Sequence, residues 1–435
     1  MHSVAERSKV GLADRPARPA GQAPVSGRIA YLNSEYPSLS HTFIEREVSG
    51  LRALGIPIRT FSVRAPGTLA RAGSAHEAAA ADTTVLLAGS ARVFRDAAWG
   101  LCRSPLGFFR ALMSGQKIAP AGLASRIRHM AYVFEGIRLA RELSKEEIRH
   151  IHVHMANNGA AIAMMACDFD QALSYSLSIH GSAEFFHVDS WTLREKAERA
   201  MFVRCISEFC RAQVMAWTAP VAWGNFHVVH CGVDPTVYQP RPPRLPGPVR
   251  FLTVGRLHPI KGYPQLLRAC RELRDRGLVW RLRMVGDGPE RESLQRSARE
   301  LGLTDMIEFA GPVSQDAIQE HYDWADAMVM SSFMEGVPVV LMEAMAKQLG
   351  VIAPRVGGIP ELVAEGVHGL LVPPGSVADL ADAMAVLAEN PALAAQHGIA
   401  GRQRVIDSFS TDGLARGMAG LFAKYAVLRS AETGT

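Results

Sequence analysis

The chain has 435 residues, room for two or three domains, and 48% hydrophobic against 20% charged residues, a balance that excludes a disordered protein. A net charge of +5 suits an anionic ligand or a membrane surface and is too mild to mark a nucleic-acid binder. Cysteines at 102, 167, 205, 210, 231 and 270 form neither a CxxC pair nor a zinc spacing, so they read as buried or free thiols in a reducing cytoplasm.

Residues 1–26 are rich in Arg, Pro and Ala, lack the apolar core of a secretory signal, and read as a disordered tail. No run of about 18 uncharged apolar residues follows, so no membrane-spanning helix is expected. Arg28–Leu32 reads as a buried strand. Thr42-Phe43-Ile44-Glu45 is a capping box that opens a helix with apolar positions at 43, 44, 48, 51 and 54, stopped by Gly55. Ile56–Val63 and Thr84–Leu87 read as further strands.

Residues 91–142 break this rhythm with two or three helices in which Arg92, Arg95, Arg103, Arg110, Lys117, Arg126 and Arg128 alternate with Trp99, Leu106, Phe108, Phe109 and Met113. Such a segment fits a membrane or lipid-acceptor surface, or equally a helical insert packed on its own domain. Strands then return at His150–Val153, Leu173–Ser178, Met201–Ile206 and Phe226–Val229. His152 and His154 share one strand face and suit local hydrogen bonding. Asp168-Phe169-Asp170 follows a helix and reads as a solvated loop, with no metal site expected.

Proline-rich Asp234–Pro248 suits a hinge between domains. Beyond it, strands at Arg250–Val254, Arg281–Val285, Ile307–Phe309, Ala327–Met330, Val351–Ala353 and Gly369–Val372 alternate with helices, which predicts a second parallel α/β sheet. Two such sheets facing each other would bind a ligand in the cleft at their carboxyl ends. The predicted organisation is a tail (1–26), a first Rossmann-like domain (27–240), a second (241–410) and a C-terminal helix (411–435) crossing back to the first domain.

The strand-end loops of the second half carry the chemistry. Gly255–Gly262 brings Arg256 and Lys261 to a helix N-terminus, which suits a diphosphate, although an ordinary loop with exposed charges has the same residues. Gly286-Asp287-Gly288 is no dinucleotide fingerprint and reads as a tight turn. Glu335 and Glu343 bracket Gly336-Val337-Pro338-Val339. If that span were helical throughout, the carboxylates would stand about 12 Å apart, near the hexose-to-ribose span of a sugar nucleotide. Gly357-Gly358 would let backbone amides approach an anion.

These motifs resemble the retaining GT-B glycosyltransferases with an E-x7-E signature, over nearly the whole chain from about residue 28. The resemblance implies an α/β fold of two Rossmann-like, doubly wound parallel-sheet domains facing across a cleft. It implies that Arg256 and Lys261 bind the donor diphosphate, Glu335 meets the transferred sugar, Glu343 meets the ribose, and the backbone from Gly311 to Val313 faces the base. Gly286, Val337 and Val339 would also line the donor, and His180, in Ser178-Ile179-His180-Gly181, would lean on its sugar. A narrower resemblance, to exopolysaccharide transferases of the colanic-acid type, rests on residues 36–47 (YPSLSHTFIERE), on His152-Val153-His154 and on residues 335–346 (EGVPVVLMEAMA). It places Ser40, His41, Thr42 and His154 on the acceptor side. Gln348 and Gly350 stand where the family usually has Gly and Pro.

The implied activity is metal-independent transfer of a hexose from a nucleotide-diphosphate sugar to an exopolysaccharide or polyprenyl-linked saccharide. No cofactor is implied beyond that co-substrate, for which UDP-hexose is favoured over GDP-hexose, and no nucleic-acid partner. The work would be done in the cytoplasm, against the inner face of the plasma membrane. The alternatives are a sugar-nucleotide epimerase on the same fold and a non-catalytic sugar-nucleotide-binding subunit.

Overall fold

The computed structural model describes residues 25–38, 42–67, 74–87, 90–186, 188–242, 247–314, 317–427 and 429–430. The first half runs β1 (Val25–Ser26), β2 (Ile29–Glu35), α1 (Thr42–Ala53), β3 (Ile58–Arg64), α2 (Ser74–Ala81), β4 (Thr83–Val85), α3 (Ser90–Arg103), α4 (Pro105–Ile118), α5 (Leu123–Lys145), β5 (His150–His154), α6 (Asn158–Phe169), β6 (Ser174–Ile179), α7 (Val188–Trp191), α8 (Leu193–Arg199), β7 (Val203–Cys205), α9 (Glu208–Trp217) and β8 (Phe226–Val228). The second runs β9 (Val249–Val254), α10 (Tyr263–Asp275), β10 (Trp280–Val285), α11 (Arg291–Glu300), β11 (Ile307–Gly311), α12 (Ile318–Trp324), β12 (Ala327–Val329), α13 (Val339–Ala346), β13 (Gly350–Pro354), α14 (Ile359–Leu362), β14 (Leu370–Val372), α15 (Val377–Glu389), α16 (Pro391–Ser408), α17 (Thr411–Lys424) and β15 (Arg429–Ser430).

Apolar strands separated by capped helices can pair only in parallel, and they do. Seven strands order as β4-β3-β2-β5-β6-β7-β8 and six as β11-β10-β9-β12-β13-β14, with every pair inside both sheets parallel. In each sheet the chain order reverses beside the first long strand, between β2 and β5 and between β9 and β12. Those switch points open the crevices where ligands bind.

Helix α17 covers the first sheet: Met418, Leu421 and Phe422 join Ile29, Tyr31, Val48 and Phe202 in one buried cluster. It crosses α1 where a Cβ on Gly50 would lie 2.9 Å from that of Ala415. The chain passes between the domains twice, side by side, with Val233 bridged to Ser410. Arg402 of α16 secures this hinge, donating to the carbonyls of Tyr238 and Pro235.

Several expectations need correction. Val25 and Ser26, assigned to the tail, pair with Ser430 and Arg429. Helices α3, α4 and α5 do turn part of their aromatic content inward, since Trp99 and Phe108 pack on the main core. Asp168 is not in a solvated loop but buried at the end of α6 and ion-paired with Arg199. The cysteines are free thiols as expected, with Cys205 and Cys210 buried and Cys102 exposed.

Gln348 adopts a left-handed φ of 61°, and a Cβ on Gly398 of α16 would come within 2.0 Å of its carbonyl oxygen. A side chain in that backbone region costs about 1–2 kcal/mol, part of which glycine's greater freedom in the unfolded chain returns. Gln348→Gly should therefore raise the unfolding free energy by about 0.5–1 kcal/mol, seen as a higher urea midpoint at unchanged slope. An unchanged or lower midpoint would contradict the strain.

Candidate functional site

Loops leaving the carboxyl ends of β9, β10, β11 and β12 interlock through their backbones. Gly286 has φ +138°, and a Cβ there would sit 1.9 Å from the Gly255 carbonyl oxygen, so only glycine fits. Its N–H is spent on Gly311 O at 2.8 Å. Gly286 thus acts through packing, and Gly311 carries φ +81° beside it. Val313, just beyond, is half-buried against the core.

Lys261 ends a short 3-10 turn (Pro259–Lys261) that leads into α10. Phe333 N donates to Ile260 O at 2.8 Å and Ser331 Oγ to Lys261 O at 2.9 Å, tying this turn to the loop after β12. The tie sets Lys261 Nζ 2.6 Å from Glu335 Oε1. Glu335 is buried, and Lys261 supplies its counter-charge. Arg256 is exposed on the same loop and makes no hydrogen bond or ion pair among the described residues. Beside them α13 begins at Val339 with Pro338 as its N-cap. The signature is therefore not helical throughout: Glu335, Gly336 and buried Val337 precede the helix, Leu341 N and Met342 N donate to Pro338 O, and the Val339 N–H at the helix start has no acceptor within the helix.

Glu343 lies inside α13 and is buried among three donors. Its Oε1 accepts from Arg46 Nη2 at 2.6 Å and from Tyr238 OH at 2.7 Å, and its Oε2 accepts from Tyr322 OH at 2.8 Å. Arg46 belongs to α1 of the first domain and Tyr238 to the hinge. Burial opposes the Arg46 charge, yet Glu343 and Tyr238 raise its pKa. Burial and Glu343 push the Tyr322 hydroxyl well up, so it remains a donor. A carboxylate accepts about four hydrogen bonds, so one site on Oε2 stays open to a ribose hydroxyl, and a second hydroxyl would have to displace one of the three donors.

The first domain meets these loops at the ends of β5 and β6. A Cβ on Gly336 would lie 2.3 Å from His180 O, and one on Gly181 would lie 2.8 Å from Gly336 Cα, so the backbones of the two domains touch. His180 packs its ring on Phe43 at 4.4 Å and turns Nε2 toward His154 Nδ1 at 2.9 Å. His154 is thus buried behind His180. Glu184 shapes these strand ends, accepting from Ala156 N and His180 N at 2.6 Å each. Burial raises its pKa to about 7 although those amides lower it. Glu361 adds a second link across the domains, accepting from Glu208 N and Phe209 N at the start of α9. Thr42 opens α1, whereas Ser40 and His41 lie outside the described residues.

Glu47, His152 and His154 have the composition of a metal-ligand set. His152, however, already has Ser176 and Ser178 hydroxyls on its two nitrogens at 2.7 and 2.9 Å, and Arg204 faces Glu47 at 3.5 Å. The cluster is balanced by an arginine, and its chemistry is hydrogen bonding.

Sequence reasoning gave no role to Arg46, Glu47, Arg204, Tyr238 or Tyr322. The signal available was the face shared by Phe43, Arg46 and Glu47 at i, i+3 and i+4 of α1.

Residues 239–404 match the family described as Glycosyl transferases group 1. The colanic acid biosynthesis glycosyltransferase WcaL of Escherichia coli strain K12 is 35% identical over 169 residues, 37% of this chain and 42% of WcaL. The amylovoran biosynthesis glycosyltransferase AmsK of Erwinia amylovora is 30% identical over 212 residues, 47% of this chain and 52% of AmsK. The matches thus span about half the length of these relatives. The solved structure of Anabaena HepE in complex with UDP superposes with a TM-score of 0.67 at 16% identity, covering 92% of this chain and 100% of HepE.

Breaking the cross-domain pair gives a measurable effect. Arg46→Ala leaves Glu343 buried with two tyrosine donors and no cation, and should cost about 3 kcal/mol of unfolding free energy. A loss below about 1 kcal/mol, the size of an exposed pair, would contradict the buried joint.

Proposed function

We propose that this chain, which carries a glycosyltransferase group 1 domain on a GT-B fold, is a retaining hexosyltransferase that extends an exopolysaccharide or lipid-linked oligosaccharide from a nucleotide-diphosphate sugar. The observation that carries the reading is Lys261 held 2.6 Å from buried Glu335, with Arg256 on the same loop, at the carboxyl edge of β9 and β12. A diphosphate entering there meets Arg256, Lys261 and the N-terminus of α13, all of one sign. As the glycosidic C–O bond breaks, charge grows on the leaving phosphate and these donors stabilise it. Glu335, released from Lys261, is left to orient the sugar and balance its positive character. The leaving phosphate takes the acceptor proton on the same face, so no side-chain nucleophile or metal ion is required. Glu343 meets the ribose through the remaining acceptor site of Oε2 or in place of one of its three donors, and displacement of Arg46 would link donor entry to separation of the domains. The UDP-hexose assignment draws support from HepE, which was solved with UDP and with UDP-glucose. Gln348 and Gly350 lie beyond the far end of α13 from Glu335, which favours the active transferase over a non-catalytic subunit.

The acceptor side favours a lipid surface. No described helix is long and apolar enough to cross a membrane. Yet Leu106, Phe109 and Met113 on α4 and Leu123 and Ile127 on α5 are exposed, Leu106 by 80%. Lys117 on α4 and Arg126 and Arg128 on α5 are exposed too, as is Arg103 at the end of α3. Burying such side chains in lipid is worth roughly 1.5–3 kcal/mol each, and the cations favour anionic headgroups.

Lys261→Ala should raise the transfer barrier by about 2.7–4 kcal/mol, read as a drop of roughly 10²–10³ in kcat for nucleoside diphosphate release. A drop below tenfold would remove Lys261 from the mechanism. Replacing Leu106, Met113 and Leu123 together by Asp should abolish sedimentation with anionic liposomes while nucleotide binding persists. Unchanged sedimentation would remove the membrane surface from the account.

A further inference from the structure

Phe43, Arg46 and Glu47 share one face of α1 but serve two places. Arg46 reaches Glu343, while Phe43 and Glu47 close around a pair of histidines at the ends of β5 and β6. Glu47 Oε1 stands 3.4 Å from His154 Nε2, an ion-pair distance short of a formed hydrogen bond. His154 Nδ1 lies 2.9 Å from His180 Nε2, and the two rings stack at 5.1 Å with 27° between their planes. Glu47 is fully buried, and it also accepts from Tyr31 OH at 2.8 Å.

The chain of groups has a direction. Burial would push Glu47 up, yet His154, Arg204 and His152 hold its pKa down to about 2, so this carboxylate is an acceptor only. An anion facing His154 Nε2 favours the proton on that nitrogen, which leaves Nδ1 as a lone pair. That lone pair selects the His180 tautomer with hydrogen on Nε2. His152 cannot substitute, because serine hydroxyls hold both its nitrogens. The other groups facing the pair are Arg204, Tyr31, Cys231 and, beyond Cys231, Arg46. Burial raises the Cys231 thiol, 4.0 Å from His180 Nδ1, so it stays neutral.

We propose that Glu47 and His154 are positioning residues that fix the orientation and tautomer of His180 where its backbone meets Gly336 across the cleft. The role rests on the reading of His180 as a contact of the donor sugar. It assigns to Glu47, deep in the first domain, a part in the transfer that it plays without touching substrate.

The test uses the full chain with histidine ring nitrogens labelled. In nucleotide-free wild type, ¹⁵N shifts should report His180 protonated on Nε2. His154→Phe and Glu47→Gln should each disturb that signal, and an undisturbed signal in both overturns the proposal whether or not the protein turns over. In kinetics, His154→Phe should lower kcat about 100-fold with the donor KM little changed, and His154→Asn, which keeps a polar atom near the Nδ1 place, should recover much of the loss. Equal losses in the two variants at equal melting temperature overturn it. Because Glu47→Gln leaves Arg204 buried without its partner, the pair Glu47→Gln with Arg204→Met checks that any loss is not simple unfolding. Wild-type protein that binds no nucleotide and transfers no sugar would defeat the functional reading, while the ¹⁵N signals would still decide the positioning.

Discussion

A carboxylate buried where two domains meet must draw its donors from both of them, and Glu343 does. Left unpaired in that setting it would cost several kcal/mol or take up a proton. Arg46 from α1, Tyr238 from the hinge and Tyr322 from α12 share that burden. Helix α1 is therefore fixed against the second domain, and its next residue, Glu47, is fixed inside the first. The strand ends that carry His154 and His180 inherit their position from this arrangement, and so does the contact between His180 and Gly336.

The second constraint is backbone proximity. Four loops at one sheet edge can converge on a small anion only if they pack without side chains between them. The contacts of Gly286 with Gly255 and of Gly336 with His180 achieve that inside one domain and across two. The cations then stand on a packed backbone frame, and the Lys261–Glu335 pair keeps the charge there balanced. Cationic pairing of two buried carboxylates, Glu335 with Lys261 and Glu343 with Arg46, is the common physical theme of the cleft.

Much of this was legible in the sequence, for identifiable reasons. Apolar strands alternating with capped helices announced two parallel sheets because no other pairing buries them. The glycines flanking Arg256, Lys261 and Glu335 marked strand-end loops because backbone geometry is local. Side-chain partnerships across the molecule were not legible. Arg46 and Glu343 are separated by 297 positions, and nothing local pairs them. The turn of Trp99 and Phe108 toward the core depended on how α3, α4 and α5 pack, which interleaved basic and aromatic residues do not decide. Asp168 was misread because its partner, Arg199, arrives from a different helix.

The central claim is that the loop bearing Arg256 and Lys261 receives a nucleoside diphosphate. Calorimetric titration of wild type and Lys261→Ala with UDP, GDP and ADP, without divalent metal, tests it most directly. The account predicts that wild type binds UDP in preference to the others and that the binding is lost in the variant. Folded wild type that binds none of the three, or a variant that binds as wild type does, would contradict it.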